Sequence, residues 1–315
     1  VDDEPMSTTV LRGGRVLDLA DGTWRSADVR IDDRTIVALG ELPATDADQL
    51  DVTGRFSPED ASDFGVAQYD GKVADLKPQA NARQRSALAA ARTKLESRLA
   101  EERDPRVRQD LEILTSQIDL QSEGLRLDDK YLLPFTDVGQ LVFYGEFLLL
   151  KDEVDPGRRP AALERLKCYA GMSPGCEPIA ELAKARTVEK LDDKTLLAPY
   201  KLEVEQRLGK TRKYMEGLRD LFAKYDMPAA KAPLDKLEAQ MRAYDAWARA
   251  TVLPRARADF RLPEPVYAHR MKQFGLEVDP RALIGPAMLE FAETRAAMQM
   301  MVPVVAKAEG IQATD

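Results

Sequence analysis

Asp279-Pro280 opens the most tightly patterned stretch of this chain. An aspartate at that point accepts hydrogen bonds from the free N–H groups of a first helical turn, and a proline at the first helical position loses nothing by lacking its own. Behind them Ile284, Met288, Phe291, Met298, Val302 and Val305 recur at spacings of three, four and seven. That spacing puts all six on one face of a long helix. Arg295 falls in the same stripe and interrupts it. Upstream, Pro263 and Pro265 end whatever precedes them, and a short helix follows that closes at Gly275.

The remaining chain after residue 64 carries the same helical period. Leu88, Ala91, Leu95 and Leu99 mark one amphipathic helix, and Asp104-Pro105 ends it and starts the next. Val107, Leu111, Leu114 and Ile118 mark the face of that second helix, so the two should pack antiparallel across a short turn. Residues 132–150 are more apolar and rich in aromatics (Phe135, Phe143, Tyr144, Phe147), which reads as a buried helix at the centre of a bundle or as the lining of a substrate cleft. A helix from Pro160 to Tyr169 follows the turn Val154-Asp155-Pro156-Gly157. Val204, Leu208, Met215, Leu218 and Phe222 place a helix over 200–224, and Leu237, Met241, Tyr244 and Ala248 place another that runs toward Pro254.

Charge divides the chain before structure does. Residues 1–63 hold 15 acidic and 6 basic side chains, a net of −9, so the other 252 sum to +1 against a total of −8. No lysine occurs before Lys72. The shift predicts a boundary, with residues 58–63 as a linker between a small β segment (1–57) and an α-helical domain (64–315). Within the first segment Val10, Val16, Leu17, Val29, Ile31, Ile36, Val37 and Leu39 are strand formers. Gly13-Gly14, Asp21-Gly22, Asp32-Asp33-Arg34 and Gly40 punctuate them. Three or four short strands make a sheet too small to be comfortable alone. The fold class expected is mostly α, a helical bundle, with a small antiparallel β segment at the N-terminus.

The acidic total argues against a nucleic-acid binder, which needs a basic footprint. No apolar run is long enough to span a bilayer; the longest, residues 141–150, is broken by Gly145 and Glu146 and reads as a buried helix. The acidic start Val1-Asp2-Asp3-Glu4-Pro5 is not a signal peptide, so the chain is expected to be cytoplasmic or to have lost a leader.

Candidate chemistry is thin. Cys168 and Cys176 flank a Gly-Met-Ser-Pro-Gly loop, and either close it as a disulfide or stay as two thiols; their spacing fits neither a redox Cys-x-x-Cys nor a zinc ribbon. Gly209-Lys210-Thr211 ends like a phosphate-binding loop, but the glycine such a loop needs five residues earlier is Val204, and the segment sits in a helix. His269 is the only histidine, and one imidazole does not make a catalytic zinc site. It reads as a polar or interfacial helix residue. Glu290 and Glu293 share a helix with Arg281 and Arg295 and read as a solvated or arginine-bridged pair, with a carboxylate ligand pair as the other reading. Met298, Met300 and Met301 read as core or interface packing. No catalytic, cofactor-binding or metal-binding residue is assigned.

Two family resemblances frame the expected function. Phe260-Arg261-Leu262-Pro263, the Gln273-Phe274-Gly275 stop and the Glu293–Gln299 run resemble a bacterial domain-of-unknown-function family placed among the zincin-like (His-Glu motif) metallopeptidases. The resemblance runs from about Phe64 to residue 312. In that family the metal motif lies in the later half, so the resemblance implies the N-terminal helical part of a hydrolase, not catalytic alone, with zinc expected only where the missing half is present. It also implies a periplasmic or exported protein. Separately, Leu11–Asp18, Ala27–Ile31, Ile36–Gly40 and Asp51–Phe56 resemble the N-terminal strands of the amidohydrolase superfamily, without the His-x-His pair that follows them there. The partners expected are a peptide or a C-terminal partner half. The other function classes are a non-catalytic helical scaffold and an amidohydrolase-like metal-dependent hydrolase.

Overall fold

The computed structural model describes residues 8–17, 24–32, 35–40, 51–276 and 278–311. Three strands come first: β1 (Thr8–Leu17), β2 (Trp24–Asp32) and β3 (Thr35–Gly40). They pair antiparallel in the order β1-β2-β3, with Thr8 opposite Asp32 and Leu17 opposite Trp24. Gly13-Gly14 does not end a strand. The register shifts between Leu11 and Gly14 instead, a bulge that glycine accommodates readily. The Asp33-Arg34 turn and the acidic start of the chain lie outside the described residues.

The helices follow. α1 (Asp51–Phe56) and α2 (Pro58–Asp63) differ from the expected pattern. Asp51–Phe56, with its β-branched Val52 and Thr53, was expected as a fourth strand piece but is helical, and residues 58–63, expected as a linker, form α2. Local propensity is a weak guide here because tertiary contacts decide. A Cβ on Gly54 would fall 2.2 Å from the Tyr69 ring, so α1 is seated against that ring through its one residue without a side chain. Pro58, Glu59, Ala61 and Ser62 of α2 are all buried, which no linker shows.

α3 (Ala80–Glu101) and α4 (Pro105–Tyr131) form a long hairpin. Asp104 caps α4 by accepting from the Arg106 N–H at 2.8 Å. Arg92 meets Asp119 and Arg85 meets Asp129 across it, a register that only antiparallel helices give. Leu88, Leu95, Leu111 and Leu127 are buried at the seam, while Leu114 is exposed.

The core lies among α5 (Val138–Leu150), α6 (Pro160–Tyr169), α7 (Ile179–Val188), α8 (Lys201–Lys224) and α9 (Lys231–Thr251). The helix expected over 132–150 starts only at Val138. Pro134 cannot continue an i to i−4 ladder, and Leu133 instead donates its N–H to the Leu197 carbonyl at 2.9 Å. α5 and α8 approach closely because Gly139 faces Tyr214 and Gly217 faces Phe143, where an added Cβ would sit 2.9 and 2.8 Å away. Val142, Leu149, Leu166, Ile179, Leu218 and Leu237 are fully buried in this cluster, each such side chain contributing roughly 1.5–3 kcal/mol.

The chain divides into two compact units, Val1–Arg261 and Leu262–Asp315. The second unit holds α10 (Glu264–Gln273) and α11 (Pro280–Glu309). α10 stops before Gly275, whose φ of +73° suits glycine. Asp279 caps α11 by accepting from the Arg281 N–H at 2.9 Å.

Candidate functional site

Glu59 of α2 is where buried charge gathers. It is 3% exposed, and its carboxylate accepts from the Tyr169 hydroxyl at 2.5 Å and from the Ala74 N–H at 3.0 Å. Arg165 of α6 lies beside it, fully buried. Its guanidinium donates to the Gly145 carbonyl at 2.7 Å, the Ser62 hydroxyl at 2.6 Å, and the Tyr69 and Lys72 carbonyls. Glu146 of α5 completes the group, and neither of its carboxyl oxygens has a hydrogen-bond partner. Gly145 makes the arrangement fit: a Cβ there would fall 2.3 Å from the Tyr169 hydroxyl and 3.0 Å from Glu59.

Burial pushes the Glu146 carboxyl well above the ordinary carboxylate range; Arg165 opposes that shift and Glu59 adds to it. Burial also raises Glu59, against its bonds to Tyr169 and Ala74 and the charge of Arg165. The charge of Arg165 acts on both carboxyls, with no ion pair to either among the described residues. The proton belongs on Glu146, because Glu59 alone has donors aimed at its charge. A neighbouring ion pair extends the group to the surface: Arg158 holds Asp70 through two bonds of 2.7 Å and donates to the Ser62 carbonyl at 2.8 Å.

This cluster is closed to substrate. Glu146, Arg165 and Tyr169 have no exposed surface, so it ties α2 to α5 and α6 rather than meeting a ligand. Sequence reasoning passed over most of it. Glu146 was legible as a charge inside an apolar run. Arg165 carried a signal too, since it shares with Ala162, Leu166 and Tyr169 the face of α6 that turns inward. Glu59 carried none, standing in an acidic stretch.

The residues singled out in the sequence are scattered. Cys168 and Cys176 are joined as a disulfide, with Cα atoms 5.2 Å apart. Lys210 and Thr211 lie inside α8. His269 is buried on α10 with its Nε2 unpartnered. Glu290 and Glu293 are exposed on α11, and no ion pair joins either to Arg281 or Arg295 among the described residues. Met298, Met300 and Met301 are 62–78% exposed, so they are not core. The four aromatics of residues 132–150 do not converge: Phe135 stacks on Tyr244, whereas Phe143 meets Tyr214 and Phe147. Among the described residues no group of three or more His, Cys, Asp or Glu side chains is placed to hold a metal ion. None of the described helices is long and apolar enough to cross a membrane.

The open surface is on α11. Of its thirty residues only Pro280, Leu283 and Ala306 are even half-buried. The stripe from Ile284 to Val305 faces water throughout, joined by Leu289, Met300 and Val304 on the other sides. A helix apolar on several sides belongs in an interior, and a long run of exposed apolar side chains is the mark of an interaction surface.

Comparison with known families matches residues 58–314 to the family described as Bacterial protein of unknown function (DUF885). The chain belongs to that family. The DUF885 match begins at Pro58, the first residue of α2, which places α2 with the helical part of the chain, as its buried contacts do. No curated protein and no solved structure matches the chain.

Proposed function

We propose that this chain is the helical, non-catalytic part of a metallopeptidase-like hydrolase, and that its second unit docks the polypeptide that completes the enzyme. The observation that carries this is α11, thirty residues long and without one buried side chain. The zincin-like resemblance of residues 64–312 supplies the reaction class, hydrolysis of a peptide bond. The described residues do not fit a zinc site, so no step of hydrolysis is assigned to them; on this reading zinc is held by the completing polypeptide. The Cys168–Cys176 disulfide suits an oxidising compartment and thus an exported protein.

The same helix supports a second reading, a scaffold that binds a peptide or partner chain without any hydrolysis. Purification without chelator, followed by zinc analysis and a peptidase assay on a mixed peptide substrate with added zinc, tests the first. The expected result for this chain alone is zinc far below stoichiometric and no cleavage. Stoichiometric zinc with chelator-sensitive cleavage would overturn it. If the protein as its source makes it has an intact mass well above 35.1 kDa and zinc-dependent peptidase activity, the hydrolase reading stands over the scaffold.

A further inference from the structure

The α11 stripe has a second property besides exposure. Its positions alternate in steps of four and three from Ile284 to Val305, with Arg295 at the central step. That is a repeat of 3.5 residues, the spacing by which one helix lies along another.

Arg295 decides what the neighbour is. No carboxylate among the described residues pairs with it. Glu290 and Glu293 lie five and two residues away, on the far side of the helix, and side chains two apart do not face each other. A second copy paired in register through the same stripe sets like charges near each other at this position. Laid in register and parallel, two copies set Arg295 against Arg295. Laid antiparallel about the midpoint of Ile284 and Val305, which falls between residues 294 and 295, each Arg295 stands opposite Thr294 of the other copy, one position from the other Arg295. Either pairing buries two like charges in an apolar seam.

We infer that α11 docks an amphipathic helix of different sequence, apolar at three- and four-residue spacing and bearing a carboxylate opposite Arg295. This rests on the reading of α11 as the docking surface and adds its chemistry. The carboxylate sets register along a seam whose other contacts are aliphatic and would tolerate sliding, as a single polar position does in coiled coils.

Two fluorescent helical peptides of about four heptads, with leucine at the seam positions and either Glu or Lys at the central one, provide the test against the full chain and its Arg295→Glu variant. Arg295 is exposed, so the variant should fold, which circular dichroism checks. The expected result is that the Glu peptide binds about tenfold tighter than the Lys peptide, with the order reversed in R295E. Equal binding of both peptides overturns the role of Arg295 and leaves α11 a docking face. Binding of neither overturns both. A stable dimer in light scattering, lost on Met288→Asp with Met298→Asp, gives the face to a second copy and also overturns the inference.

Discussion

Glu146 is a carboxyl whose neighbours fit its neutral form. The unfolded chain releases that proton near the ordinary value of 4.5, whereas the folded chain holds it to higher pH. Between those two values the folded state binds more protons, so the stability contributed at low pH is lost as pH rises through the raised value. Glu59, shifted the same way, adds the same sign. The expected outcome for Glu146→Gln is a flatter pH profile and a gain in stability on the alkaline side, read from urea unfolding around pH 5 and pH 8. An unchanged slope would mean that Glu146 is ionised against Arg165. Arg165→Met should cost about 3–5 kcal/mol at neutral pH, because it leaves the Gly145, Tyr69 and Lys72 carbonyls and the Ser62 hydroxyl without their donor. Gly145→Ala should cost roughly 1–3 kcal/mol by driving a methyl into the Tyr169 hydroxyl.

At the scale of elements, the disulfide and the hairpin make separate demands. The Cys168–Cys176 bond closes the loop between α6 and α7, and Gly171 turns there with φ +62°, where a Cβ would strike the Pro178 ring. Reduction, or Cys168→Ser with Cys176→Ser, is expected to lower stability by roughly 2–3 kcal/mol. A two-dalton difference in intact mass before and after reduction checks that the bond forms. Asp129 on α4 binds Arg85, Lys190 and Asn81 at 2.5–3.0 Å. Those bonds outweigh the effect of its partial burial and hold its carboxyl below the ordinary range. Most elements could be read in advance: the helix over Pro160–Tyr169, the Asp104-Pro105 junction and the Asp279-Pro280 start each rest on local capping and period. α1 and α2 could not, because Val52-Thr53-Gly54 and Pro58-Glu59-Asp60 become helical only once Tyr69 and Arg165 are there to pack against and bond.

For the whole molecule the contrast is between α9 and α11. Leu237, Met241, Tyr244 and Ala248 on α9 are buried, and the matching stripe on α11 is in water. A helix without tertiary packing opens easily. Amide exchange along α11 is therefore expected to be faster than along α9 by orders of magnitude in this chain alone, and to slow when a docked helix is added. Equal protection of the two helices would contradict the exposure of α11.

The sequence alone determined most of the long helices after residue 64, several of their starts, and that Ile284 to Val305 share one apolar face. Those properties depend on neighbours within a few turns along the chain. Only the tertiary structure decided that Glu59, Glu146, Arg165 and Tyr169 meet, because they come from α2, α5 and α6, up to 110 residues apart, and which distant groups come together has no local signature. Only the structure, too, showed that the stripe of α11 is exposed while that of α9 is buried. Periodicity shows that a face is apolar, and burial depends on what else the chain brings to it.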